Sequence, residues 1–144
     1  MDTEMLIKSS IKKKLSFSVS HISRLGNGAS GSVYRVAFKD GRKPIAVKIS
    51  QHPELMKQEY DMLSFLKEKT ESKIPEVYFY DEADGIAIIA MEYIEGVSGV
   101  DKSLKYRFNK KHLAESIIDN LLVIQQSHNN KYGPFDNAVY DAWQ

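Results

Sequence analysis

Gly26-Asn27-Gly28-Ala29-Ser30-Gly31-Ser32-Val33-Tyr34-Arg35-Val36-Ala37-Phe38 is the stretch that decides how this chain folds. Its first eight residues fit G-x-G-x-x-G-x-V. Glycines so spaced let the backbone come close to phosphate oxygens and aim N–H groups at them. The same spacing occurs in dinucleotide-binding loops, where the last glycine opens a helix. Here the residues after Gly31 are β-branched and aromatic and have no helical period. A strand follows the loop. Phe17 to Leu25 reads as the strand before it and Ser32 to Phe38 as the strand after it. Taken alone, the loop also fits a flexible hairpin that binds nothing.

Further along, Lys39-Asp40-Gly41-Arg42 supplies turn chemistry, because Asp-Gly tolerates the positive φ of a tight turn. Pro44 to Ile49 is a third strand. Pro53 opens a helix at a position where its missing N–H costs nothing, and the helix runs to about Lys69. Val77 to Tyr80 and Ile86 to Tyr93 form a second hairpin around Asp84-Gly85. A linker from Glu95 to Lys105 leads to a helix from Lys110 to His128, and the tail from Asn129 to Gln144 reads as irregular. The fold class is therefore α+β: an antiparallel five-stranded sheet with one packed helix, followed by a C-terminal helix.

Two charged residues stand where apolar ones belong. In Ile45-Ala46-Val47-Lys48-Ile49, period-two alternation puts Ala46 and Lys48 on one face. A small residue beside a cation suits a flat ring next to a phosphate chain; a lysine snorkelling from a strand edge is the alternative. In the following helix, Leu55, Met62, Leu63 and Leu66 fall on one stripe, and Glu59 lies on it too. A carboxylate on a buried face needs a cation, and Lys48 is the candidate. Alternatively, Glu59 sits at the margin of the stripe, in water.

The glycine loop, Ala46-x-Lys48, a helix glutamate eleven positions after the lysine and then Met91-Glu92-Tyr93-Ile94-Glu95-Gly96 together resemble the small lobe of the protein-kinase-like superfamily. The resemblance covers about Phe17 to Gly96. It implies that Gly26, Asn27, Gly28, Ser30 and Gly31 cover the phosphates of ATP, that Lys48 holds the α and β phosphates, and that Glu59 orients Lys48. Val33 and Ala46 would roof the adenine and Met91 would back the pocket. The Glu92 carbonyl and the Ile94 amide would meet the adenine edge.

Gln58-Glu59-Tyr60-Asp61-Met62-Leu63, Ile74-Pro75-Glu76-Val77, Tyr132-Gly133-Pro134-Phe135 and Trp143 look most like the aminoglycoside phosphotransferase group of small-molecule kinases. The glycine loop is closer to the protein-kinase pattern. The resemblance therefore implies a phosphotransferase moving the γ-phosphate of ATP to a small-molecule hydroxyl. A serine/threonine protein kinase and a non-catalytic nucleotide-binding or interaction module are the alternatives. By the same resemblance, residues 1–16 are an N-terminal extension, 17–94 the ATP-binding lobe, and 95–144 the hinge, a helix and the start of a large lobe.

Catalysis needs an aspartate at the acceptor hydroxyl and ligands for magnesium (Mg2+). No histidine among His21, His52, His112 and His128 begins a His-x-Asp loop, and their spacing suits no metal. No residue of this chain is a candidate for catalysis or metal binding, so the 144 residues alone are expected to be inactive, with the magnesium ligands in a C-terminal lobe. Leu113, Ile117, Leu121 and Ile124, widened by Ile118 and Leu122, give the last helix an apolar stripe. It suits packing on that lobe, packing on the small lobe, or self-association.

Bulk properties narrow the rest. Hydrophobic residues at 42% and charged residues at 27% fit a globular domain. A net charge of +1 gives no reason to expect nucleic acid, and Lys12-Lys13-Lys14 reads as a solvated face. Zero cysteines exclude disulfides and thiolate metal sites. The longest apolar run, Ile86 to Met91, is far short of the roughly 20 residues that cross a bilayer. The N-terminus lacks the pattern of a signal peptide. A cytoplasmic protein is expected, with ATP and a small-molecule acceptor as partners and no membrane.

Overall fold

The computed structural model describes residues 2–28, 31–71, 73–96 and 110–126. In chain order the elements are α1 (Thr3–Leu15), β1 (Val19–Gly28), β2 (Gly31–Phe38), β3 (Ile45–Ser50), α2 (Pro53–Lys69), β4 (Val77–Ala83), β5 (Ile86–Glu92) and α3 (Lys110–Gln125). The strands form a five-stranded sheet in the order β1-β2-β3-β5-β4, and every neighbouring pair is antiparallel. Both expected Asp-Gly turns are present. Asp84 and Gly85 take φ of 53° and 73°, the left-handed pair that closes a two-residue hairpin without splaying its strands.

Residues paired across strands share a face. The register aligns Val33 with Lys48 and Lys48 with Ile89; the next row is Arg35, Ala46 and Met91. On that face Ala87 and Ile89 are buried with Met56 of α2, and Tyr60, Val77, Tyr80 and Met91 pack around them. The other face carries Val36, Ile45, Val47, Ile88 and Ala90, buried with Leu6, Ile7 and Ile11 of α1. The sheet is thus covered on both sides, by a different helix on each.

Sequence reading assigned no element to the first sixteen residues, and α1 is the largest departure from it. Asp2 caps the helix by accepting from the Glu4 N–H at 3.1 Å. Lys12, Lys13 and Lys14 occupy the last turn, where cations suit the helix dipole. Ser16 ends it in the left-handed conformation, donating its N–H to the Lys12 carbonyl. The lysine run is also more than a solvated face. Lys13 Nζ lies 3.0 Å and Lys14 Nζ 3.9 Å from Asp81 Oδ1, on a carboxylate that is 7% exposed. Burial alone would push the Asp81 carboxyl up. Hydrogen bonds from Lys13 and Ser10 and the charges of both lysines outweigh it and hold the carboxyl below the usual range.

The stripe expected on α2 is rotated. Met56 is its buried residue, with 1% exposed, whereas Leu55 and Met62 are 50% and 45% exposed. Met56 and Tyr60 recur at helical spacing and turn toward the sheet, leaving Leu55, Glu59 and Met62 at the margin of the contact. In α3, Ile117, Ile118, Leu121 and Leu122 are each more than half exposed. His128, the expected end of that helix, lies outside the described residues.

Ile7→Ala should therefore cost about 2–5 kcal/mol of stability in equilibrium denaturation. A solvated N-terminal extension would lose almost nothing. The depressed Asp81 carboxyl contributes stability that is complete above its unfolded value of 3.8 and is lost as pH falls through the lower folded value. The stability gap between wild type and Asp81→Asn should accordingly narrow between about pH 7 and about pH 3.

Candidate nucleotide site

Lys48 is placed by the middle of β3, a strand with partners on both sides. Its ammonium lies 2.5 Å from Glu59 Oε2 of α2, with the lysine side chain 13% and the glutamate side chain 30% exposed. Glu59 occupies the margin of the helix face and still reaches the cation, so the two readings of it merge: marginal in position, paired in fact. A pair this sheltered repays its desolvation only when its geometry is good, and loss of one partner leaves a charge poorly compensated.

Around this pair the sheet gathers most of the residues picked out in the sequence. Val33 sits directly across from Lys48 on β2, and Ala46 lies two residues before it on β3. Met91 pairs with Ala46 from β5. Glu92 ends that strand and is tied to the start of β4. Its N–H donates to the Glu76 carbonyl at 2.7 Å, and its carboxylate accepts from the Glu76 N–H at 3.3 Å. Ile94 follows outside any strand, with 58% exposed.

The glycines divide by what the chain itself requires. A Cβ on Gly31 would stand 2.2 Å from the Ile49 carbonyl oxygen, and its φ is 142°. The fold demands glycine there. At Gly26 a Cβ would meet nothing within 4 Å, and at Gly28 only an ordinary 3.8 Å contact. Packing gives no reason for those two. Asn27 points its side chain along the strands: its Oδ1 accepts from the Ser32 hydroxyl at 2.7 Å and from Arg24, while Arg24 also donates to Ser32 Oγ at 3.1 Å. Since Ser32 pairs with Ile49, this network lies on the face away from Lys48. Ser30, at the tip, lies outside the described residues.

The sequence pattern of the phosphotransferase enzyme family (APH) matches residues 21–144. The chain belongs to that family. Among solved structures, a thermostable variant of the aminoglycoside phosphotransferase APH(4)-Ia, in a ternary complex with AMP-PNP and hygromycin B, aligns at 14% identity with a TM-score of 0.68. It covers 95% of this chain and 46% of its own. Spectinomycin phosphotransferase APH(9)-Ia, in complex with ADP and spectinomycin, aligns at 12% identity with a TM-score of 0.57, covering 68% and 31%. The PknI kinase domain of Mycobacterium tuberculosis aligns at 20% and 0.51, covering 84% and 55%. At these identities the likeness is one of fold. A mitogen-activated protein kinase kinase of Aspergillus fumigatus, mkk2, is 35% identical over 103 residues, which is 68% of this chain and 20% of that protein. The chain thus spans a fifth of that curated relative and roughly a third to a half of those structures.

Within this phosphotransferase fold, among the described residues, no group of three or more His, Asp or Glu is placed to hold a metal. His21, His52 and His112 are exposed, as is Asp119 on α3. No helix among the described residues is long and apolar enough to cross a membrane. Sequence reading passed over Arg35 and Tyr93. The Arg35 guanidinium lies 5.4 Å from the centre of the Tyr93 ring, in the row of Ala46 and Met91. Alternation from Val33 was the available signal for Arg35.

Gly31→Ala should lower stability by at least about 1–3 kcal/mol, measured by thermal or denaturant unfolding. Gly26→Ala should stay within about 0.5 kcal/mol of wild type.

Proposed function

We propose that residues 17–94 bind ATP and that the chain is the nucleotide-binding part of a phosphotransferase, moving the γ-phosphate of ATP to a hydroxyl of a small molecule. The Lys48–Glu59 pair carries this reading. A sheltered ammonium, held by a helix carboxylate at 2.5 Å, stands on the same sheet face as Val33, Ala46 and Met91. Lys48 takes the α and β phosphates, and Glu59 fixes its direction. Gly26 and Gly28, which packing leaves unexplained, let the backbone approach the phosphate chain. Val33, Ala46 and Met91 enclose the base, and the backbone of Glu92 and Ile94 reads its edge.

In the transfer itself the bond from the γ-phosphorus to its bridging oxygen breaks and a bond to the acceptor oxygen forms. The acceptor proton goes to a base. No histidine of the chain is followed two places later by aspartate, so we assign that base and the magnesium ligands to residues outside these 144. The 144 residues should then bind nucleotide without transferring phosphate. In the same reading, residues 95–144 are the hinge, a helix and the start of a large lobe, and the protein works in the cytoplasm. The exposed apolar residues of α3 suit that lobe or a second copy of the chain.

A serine/threonine protein kinase is the second reading, favoured by the 35% identity to the Aspergillus fumigatus protein kinase kinase. The two share every step at the nucleotide and differ in the acceptor.

Calorimetric titration with ATP tests the site. Lys48→Ala should weaken binding at least about tenfold, since charge-assisted hydrogen bonds are worth about 1.5–3 kcal/mol. Glu59→Gln should weaken it less, because it loosens the lysine and removes no phosphate contact. Equal affinity in wild type and Lys48→Ala would remove the assigned site. Binding of ATP with no transfer in any longer chain would favour a non-catalytic nucleotide-binding module.

A further inference from the structure

Arg35 has no part in the site as assigned above, and its position suggests one. Two residues after Val33 on β2, it pairs across the sheet with Ala46, which pairs in turn with Met91. It therefore projects from the face that carries Lys48. Ala46 offers only a methyl group there, leaving the long side chain room to cross β3 toward the end of β5. It reaches Tyr93, with its guanidinium carbon 5.4 Å from the ring centre, inside the distance at which a cation is attracted to an aromatic face. Tyr93 stands between Glu92 and Ile94, whose backbones read the base edge in the proposed function. Both side chains are only half-buried, so each still offers surface to a ligand on this face.

We infer that Arg35 is a binding residue for the nucleobase: its planar guanidinium stacks on the purine ring and, anchored on Tyr93, closes the solvent side of the slot. Guanidinium planes stack on flat aromatic systems as an ammonium does not. This inference rests on the nucleotide-binding reading and adds a division of labour. Lys48 grips the phosphate end, and Arg35 covers the base end. A guanidinium prefers an extended ring system, so a purine should be held better than a pyrimidine.

Adenosine and tripolyphosphate, titrated separately, read the two ends apart. Arg35→Ala should weaken adenosine about 3- to 30-fold, the range expected for a cation–π contact, and leave tripolyphosphate unchanged. Lys48→Ala should do the reverse. Arg35→Lys, which keeps the charge without the plane, should fall between wild type and Arg35→Ala for adenosine with an unchanged melting temperature. Wild-type affinity for adenosine in Arg35→Ala overturns the inference; if Lys48→Ala still weakens ATP, the nucleotide-binding reading stands. Equal weakening of both ligands together with a lowered melting temperature also overturns it, as the mark of a merely structural arginine. A wild-type chain that binds neither ATP nor adenosine removes both readings.

Discussion

The alternation of β3 is the constraint on which the rest of the molecule depends. A strand with partners on both edges presents two faces, and its side chains are dealt to them in turn. Ile45 and Val47 go to the face closed by α1. Ala46 and Lys48 go to the face shared with α2. A slip of one residue in register would send the lysine into the apolar layer beneath α1 and the valine toward Glu59. Both errors are costly, so the register that builds the core is the one that builds the ion pair.

That coupling explains why the central pair of the candidate site is legible in the amino-acid sequence. The strand after Gly31, the lysine inside an apolar strand and the glutamate after Pro53 each break a local pattern, and the fold brings Lys48 and Glu59 together. The strands and both Asp-Gly turns lie where turn chemistry and alternation place them. What escapes a local reading is long-range packing. Ile7, Ile11 and Leu15 recur at helical spacing behind an Asp2-Thr3-Glu4 start, yet so short a helix is marginal until a sheet face covers it. The orientation of α2 is hidden for a similar cause. Leu55 and Met56 are neighbours in sequence, and only the contact with β4 and β5 decides which is buried.

The glycine loop shows how structure refines a motif. Its glycines match one pattern, but they answer to different demands. Gly31 is required by the Ile49 carbonyl pressed against it; it would be a glycine in a hairpin that bound nothing. Gly26 and Gly28 have open surroundings, so neither is required by the packing of the hairpin. One motif thus holds glycines under different constraints, inside a match to the phosphotransferase family that runs from residue 21 to residue 144.

The two faces of the sheet also differ in how they tolerate change. The α1 face is apolar and nearly sealed, with one buried carboxylate, Asp81, held by two lysines. Its energetics belong to close packing, where a lost methylene is felt directly. The α2 face mixes Ala46, Met91, a paired Lys48 and the half-buried Arg35 and Tyr93. The half-buried Arg35 and Tyr93 add little to stability, because water competes for their contacts. They can vary while the sealed face keeps the register, and so the position of Lys48, unchanged. A fold divided in this way can change its open face without losing its strand order, which accords with a fold shared at 12–20% identity with phosphotransferases and a protein kinase.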